Sequence, residues 1–335
     1  MARVLVVRPG GIGDAVHLVP ALRLIRHAYP DCEIEILAEK RNAGLFSLCP
    51  MVNQVFLYDN WRHLIMLFSR RFDLIIDTEQ WHRLSAICVR VLHGSRKVGF
   101  STNNRLRMFT DAVDYHQDVC ESANFLKLVD PLGLDDHSIA YPFLEVPGES
   151  KNNVNKLLAD VQNDFVALSP GASIPQRQWG HDRYAALAAQ ISRSGLTVVV
   201  VGGGGDTYQG EFIASRCRGL NLAGATSLSE TAAIIQKARL LISGDTGVLH
   251  IAVGLDVPTV SLFGPGRDVK WAPRGSKHIV LNKNLPCSPC TIFGYTPKCP
   301  DDARCIQEIS VEEVFDAVKR LLGSQGIKLG DEASG

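Results

Sequence analysis

Short apolar runs that stop at glycine and hand over to a helical pattern constrain this chain more than any other feature. At 4–7 the run Val-Leu-Val-Val ends in Arg-Pro-Gly-Gly, and from 14 to 29 apolar residues recur about every 3.6 positions. The junction returns at 165–173, where FVALS runs into PGAS, and at 240–247, where LLISG runs into DTG. A strand apolar at consecutive positions is buried on both faces. In strand–helix–strand order that means a parallel sheet covered by helices on both sides.

Extending this pattern predicts strands over 3–7, 33–38, 54–58, 74–77 and 97–100, with helices over 14–29, 61–69 and 82–93. Two prolines and a polar run, PFLEVPGESKN at 142–152, break it. It then restarts, with strands over 165–169, 197–201, 240–243 and 259–263 and helices over 183–194, 208–217, 229–237 and 246–255. The expectation is an α/β fold of two Rossmann-like, doubly wound domains facing across a cleft, over 1–147 and 148–309. A helix over 310–323 follows, opened by a Ser310/Glu313 capping box, and then a disordered tail over 324–335. Open parallel sheets bind ligands at the carboxyl ends of their strands, so the junction loops are where chemistry is expected.

The 35 Lys and Arg balance 35 Asp and Glu. That charge argues against a nucleic-acid binder, and any electrostatic partner must meet a local patch. Basic residues do cluster in the first half: Arg62, His63, Arg70, Arg71, Arg83, Arg90, Arg96, Lys97, and then Arg105 and Arg107 in the polar loop STNNRLRMF. Such a cluster suits an anionic ligand or the cytoplasmic leaflet, and for any one member solvated surface charge is the stronger reading. The first residues lack the pattern of a signal peptide, and no run of 18 apolar residues occurs, so a cytoplasmic protein is expected.

Three loops carry the candidate chemistry. In the first, Gly10, Gly11 and Gly13 precede a helix at whose start Asp14 stands as the lone carboxylate, a helix cap or a general base. The glycine spacing is not that of a dinucleotide fingerprint. In the second, Gly171, Ala172 and Ser173 offer small residues with open N–H groups, and Arg177 offers a forked cation suited to a diphosphate, or a plain loop charge. In the third, Asp245 caps a helix whose first turn, Thr246 and Gly247, presents N–H groups to an anion, with His250 one turn on. A cap and a half-buried helix histidine describe that stretch equally well.

Four of the nine cysteines, Cys287, Cys290, Cys299 and Cys305, fall within LPCSPCTIFGYTPKCPDDARC. In a reducing compartment they suggest a structural zinc or iron site of four thiolates, and unmetallated thiols or reversible disulfides are the alternatives. No pair of carboxylates at a strand end is placed to hold a catalytic magnesium.

Together GGIGDAVHLVPALRLIR, PGASIPQRQWG and SGDTGVLHIAVGLDVPTVSLFGP resemble glycosyltransferase family 9, the ADP-heptose:lipopolysaccharide heptosyltransferases. The resemblance runs from residue 1 to about 322 and implies the GT-B fold, with the last helix crossing back onto the first domain. It implies Asp14 as the base that deprotonates an acceptor hydroxyl. It places Asp245, Thr246, Gly247 and His250 on a D-[ST]-G-x-x-H donor motif. Gly171, Ala172 and Ser173 fall on a phosphate-side loop, and Leu228 near the adenine. Arg177 and Arg8 stand where many members carry lysine, Arg8 with Gly11 and Gly13 on the acceptor side. The implied reaction is an inverting transfer of heptose from an ADP-sugar to a lipopolysaccharide inner-core acceptor, with no catalytic cofactor. Another nucleotide-sugar, an O-antigen or protein acceptor, or a non-catalytic metal-binding scaffold are the competing readings.

Overall fold

The computed structural model describes residues 1–327 and divides into two compact units, Met1–Glu145 and Val146–Gly335. The first holds six parallel strands: β1 (Arg3–Arg8), β2 (Glu33–Ala38), β3 (Gln54–Leu57), β4 (Arg71–Asp77), β5 (His93–Phe100) and β6 (Asp111–Val113), in spatial order β3-β2-β1-β4-β5-β6. The second holds β7 (Phe165–Ser169), β8 (Thr197–Val200), β9 (Leu220–Asn221), β10 (Leu241–Gly244), β11 (Thr259–Phe263) and β12 (His278–Asn282), in order β12-β11-β10-β7-β8-β9. Read from the other edge, the second order repeats the first. Each chain runs outward from its first strand, returns, and continues on the other side. The seam between the two directions lies at β1/β4 and at β7/β10, where Val7 pairs with Asp77 and Ser243 with Ser169.

The central strands are as apolar as the pattern required: Val4, Leu5, Val6 and Val7 are wholly buried, as are Val166, Ala167 and Leu168. In the first unit the helices Trp61–Phe68 and Arg83–Val91 share one core on one face of the sheet, where Leu64, Leu67, Cys88 and Val89 meet Leu5, Val7, Leu37 and Ile75. That core is the hydrophobic seat from which the loops after β1 and β4 are presented.

The structure adds detail to three sequence expectations. The last helix, Val311–Ser324, keeps its Ser310/Glu313 capping box, but its apolar side belongs to the second unit. Val314, Ala317, Val318, Leu321 and Leu322 lie in the same core as Leu187, Ala188 and Ile191. Of the expected disordered tail, Ser324 closes the helix and Ile327 packs against the same core; 328–335 lie outside the described residues. Within the stretch read as a linker, Gly148–Leu157 is helical and hydrogen-bonds the helix Leu228–Lys237 through Ser150 and Asn153.

Candidate active site

In the first unit the glycine turn after β1 leads into the helix Ile12–Ala28, with Gly11 as its N-cap and Gly13 inside its first turn. Asp14 is therefore the third helical residue and not the cap. No side chain caps this N-terminus, so the first-turn amides lie beside the carboxylate, where the helix dipole favours the anion. Across the seam, the chain leaving β4 runs through Asp77, Thr78, Glu79 and Gln80. Gln80 Nε2 donates to Asp14 Oδ1 at 2.8 Å and to Glu121 Oε1 at 2.7 Å. A neutral amide thus bridges two carboxylates. Tyr115 Oη reaches Glu121 at 3.1 Å, and burial, with Glu121 second, raises the Tyr115 pKa, which keeps its hydroxyl protonated. His17 Nδ1 lies 2.6 Å from Ser122 Oγ, a structural contact.

Arg8 and Arg105 do not reach out toward an acceptor. Both are fully buried. Arg8 donates to the carbonyls of Pro9 and Thr78 and lies 3.8 Å from Glu79 Oε2. Arg105 donates to the carbonyls of Glu79, His82 and Phe100 and sits 3.8 Å from Asp77 Oδ2. The reading of Arg105 as a mobile acceptor contact is corrected. Its two Nη groups are taken by carbonyls near the ends of β4 and β5, so it braces the loop that carries Gln80. Burial holds Arg105 below the ordinary arginine value, and burial pushes Asp77 up to about 6 against the pull of Arg105. Arg107 stays exposed on the short turn of helix Leu106–Met108.

In the second unit the matching seam joins the loop after β7 to the loop after β10. The helix Gly247–Gly254 is capped by Thr246, one residue later than expected, and no side chain bonds its first amides. Thr246 Oγ1 instead lies 3.0 Å from Ser243 Oγ. Asp245, just ahead of the cap, faces Arg177, whose Nη1 lies 2.8 Å from Asp245 Oδ2 and 3.2 Å from the Asp245 carbonyl. His250 is buried, with Nε2 3.8 Å from Asp245 Oδ1 and its ring 5.9 Å from the Trp271 ring. The Asp245 carboxylate thus pins Arg177 over the helix start. Arg177 Nε is buried with no hydrogen-bond partner among the described residues.

Two glycines are fixed by close approach. A Cβ on Gly266 would lie 2.1 Å from Asp245 Oδ2, and one on Gly171 2.0 Å from Asp206 Oδ1. Gly171 is thus small because Asp206, which accepts from the Gly203 amide at 2.8 Å, packs against it. Ser173 is exposed and Ala172 half-buried, its carbonyl accepting from Gln178. Leu228 opens the helix Leu228–Lys237, half-buried at the carboxyl side of the same sheet.

The cysteine segment departs from expectation. Cys287, Cys290, Cys299 and Cys305 line one cavity of about 140 Å³ together with Gln176 and Pro265. They run from exposed (Cys287) to buried (Cys305), all as free thiols, and burial with the neighbouring sulfurs raises the Cys290 and Cys305 pKa. Among the described residues no three His, Cys, Asp or Glu side chains are placed to share an ion, so a structural zinc or iron here is not supported. The segment packs against the loop after β11: the amides of Cys290 and Thr291 both donate to the Pro265 carbonyl.

Gln80, Glu121, Tyr115, Gly266 and the buried Lys270, which lies over the Trp271 ring, were missed by sequence reasoning. Gln80 stands at the end of a strand beside β1 and could have been found from the sheet rule alone. The burial of Glu121 and Lys270 leaves no mark in their local sequence.

Two Rossmann-like domains, each with chemistry gathered at the seam of its sheet, define a glycosyltransferase of the GT-B fold. The family model described as glycosyltransferase family 9 (heptosyltransferase) matches residues 61–295, well over half of the chain, and the protein belongs to that family. It is 26% identical over 285 residues to lipopolysaccharide heptosyltransferase 3 of Escherichia coli, a match covering 78% of this chain and 83% of the relative. It is 22% identical to lipopolysaccharide heptosyltransferase 2 of Salmonella typhimurium, over 97% of this chain and all of that one. Its fold matches the solved E. coli ADP-heptose lps heptosyltransferase II with a TM-score of 0.80 at 21% identity, covering 97% of this chain and 100% of that one.

Proposed function

We propose that this enzyme moves a heptose from ADP-heptose to an inner-core sugar of lipopolysaccharide in a single inverting displacement, with Asp14 as base. The substrate class follows the named relatives, and the observation that carries the mechanism is the contrast in how the two seam carboxylates are held. Asp245 is paired with Arg177, whereas Asp14 is oriented by the neutral amide of Gln80 with no cation bonded to it among the described residues.

In this reading a carboxylate oxygen of Asp14 takes the proton from the acceptor hydroxyl. The acceptor oxygen so freed attacks the anomeric carbon as the bond to the ADP oxygen breaks, through a transition state of oxocarbenium character. ADP departs with the electron pair. Its growing charge meets Arg177 and the uncapped amides at Thr246 and Gly247, which are oriented before the reaction begins. His250 and Lys270 support that site from behind, and Leu228 stands on the nucleoside side. Gln80 and Tyr115 set the direction of the base, Arg107 is the exposed acceptor-side cation, and Arg8 and Arg105 are braces. The reaction belongs on the cytoplasmic face of the inner membrane, where a lipid-linked acceptor is presented.

The test is ADP release by the purified enzyme with ADP-heptose and a panel of truncated lipopolysaccharide cores, wild type beside Asp14→Ala. Release that needs both substrates and falls by roughly a thousandfold in the variant is the expected result. Equal turnover in the variant removes Asp14 as base, and binding of a different nucleotide-sugar without turnover on any core removes the substrate assignment.

A further inference from the structure

Two helices of the first unit are apolar on the wrong side as well as the right one. In Arg83–Val91, Ser85, Ala86 and Val89 point into the core, as a surface helix requires. Yet Leu84, Ile87 and Val91, spaced three and four apart, form a second stripe that is 66%, 49% and 54% exposed. Trp61–Phe68 repeats this: Leu67 is buried, while Trp61, Ile65 and Phe68 form an outward stripe, with Trp61 65% exposed. Both helices sit on the same core, hence on the same face of the sheet. Outward apolar residues at helical spacing mark a surface that meets something other than water.

Charge states what it meets. The chain as a whole is neutral, but residues 60–72, 82–97 and 104–110 contain no Asp or Glu. Their exposed charges are cationic: Arg62, which lies 5.5 Å from the Trp61 ring, Arg71, Arg83, Arg90 and Arg107. Apolar and aromatic side chains between arginines, on helices too short to span a bilayer, are the composition of an interfacial helix. We infer that this face seats on an anionic lipid bilayer, with Trp61, Ile65, Phe68, Leu84, Ile87 and Val91 entering the headgroup boundary and the arginines meeting lipid phosphates.

Its position gives the surface a purpose, which rests on the reading of the acceptor as lipid-linked. Gln80, the partner of Asp14, is followed directly by exposed Trp81 and then by the helix that carries Leu84. Exposed Leu106 lies on the short turn that packs against that helix. The apolar surface therefore begins one residue from the group that orients the base. An acceptor whose acyl chains are in the bilayer would present its sugar at that edge, confining the search for Asp14 to a surface.

Flotation of the full-length protein with vesicles tests this. Vesicles of phosphatidylethanolamine and phosphatidylglycerol, in about a three-to-one ratio, are expected to carry the wild type at low salt and release it as salt screens the arginines. Vesicles lacking phosphatidylglycerol should bind it far less. The triple variant Leu84→Ser, Ile87→Ser, Val91→Ser should lose at least tenfold in binding. It should also lose turnover on vesicle-embedded acceptor while keeping that on a deacylated core. Brominated lipids should quench wild-type tryptophan fluorescence more than that of Trp61→Phe, a readout that stands even if the triple variant does not fold. No binding to anionic vesicles, or equal binding by the variant, overturns the proposal. So does a wild-type dimer that the triple variant converts to monomer, since the face would then belong to a second copy. Vesicle binding without ADP release on any core would leave the surface standing and remove the substrate reading.

Discussion

The two sheets share one strand order and place an aspartate at the same kind of seam, yet they use it in opposite ways. In the first unit Asp14 is met by an uncharged amide that it shares with a second carboxylate, Glu121. In the second, Asp245 is buried against a guanidinium and a histidine. A carboxylate locked to arginine is a counterion that holds the arginine still, whereas one met by an amide is oriented without being paired. Topology therefore fixes where the two carboxylates sit, and the neighbour across the seam sets how each is held; the proposed base is the one held by the amide.

The largest effect that could break this comparison lies at Asp14. Asp14→Ala should reduce kcat by about three orders of magnitude. Its melting temperature should barely move, because the Gln80 amide keeps its bond to Glu121. Arg177→Ala should behave in the reverse sense. It strands a buried carboxylate, which costs about 3 kcal/mol or more of stability. Loss of a charged contact should also weaken ADP-heptose binding by ten- to a hundredfold, at about 1.5–3 kcal/mol per hydrogen bond to a charged group. Calorimetric titration with ADP and thermal melts on both variants check this. Similar profiles for the two would erase the distinction.

A finer probe sharpens it. Gln80→Glu turns the neutral bridge into a third carboxylate beside Asp14 and Glu121, and like charges at such range favour the protonated form. Turnover should fall by about tenfold or more, because the amide that orients Asp14 is replaced by a group that repels it. Unchanged turnover would mean that Gln80 does not set the direction of the proposed base.

The sequence made the architecture legible because a parallel sheet buries both faces of its strands, so β1, β7 and β10 appear as unbroken apolar runs. What it hid was short or polar. β6 is three half-buried residues at a sheet edge, and β12, half-buried throughout, holds Ile-Val-Leu between polar residues at an edge of the second sheet. Gly148–Leu157 is a helix with only Ser150 and Val154 buried and reads as a linker by composition. At the site, Asp14, Arg177 and Asp245 were found because turn and helix-start residues are marked by their neighbours. Their partners Gln80 and Glu121 arrive from other parts of the chain, 66 and 107 positions from Asp14 (80 − 14 and 121 − 14), and pairing at that separation has no local signature. The same blindness made Arg105 look like a mobile surface cation when three carbonyls hold it fully buried.

The smallest expected effect compares the units through their own buried titrating groups. Asp77, beneath the first site, has a native value near 6 against an ordinary 3.8. Between those values the native state holds the proton that the unfolded chain has lost, so this group's stability contribution is full below about 4 and lost as pH rises through 6. His278 in the second unit, its Nδ1 2.9 Å from Thr259 Oγ1, is held near 4 against an ordinary 6.5 by burial. Here the unfolded chain binds the extra proton, so stability is full above 6.5 and lost as pH falls toward 4. The two slopes oppose each other in the same window. Each is worth on the order of 1–2 kcal/mol once partial solvent screening is allowed for. Urea unfolding of wild type, Asp77→Asn and His278→Gln between about pH 4.5 and 7 separates them. Asp77→Asn should make stability rise more steeply with pH than in the wild type, and His278→Gln should flatten that rise. Curves that stay parallel across the window would show that neither group changes its proton affinity on folding, and that the two units differ at their seams but not in the ground beneath them.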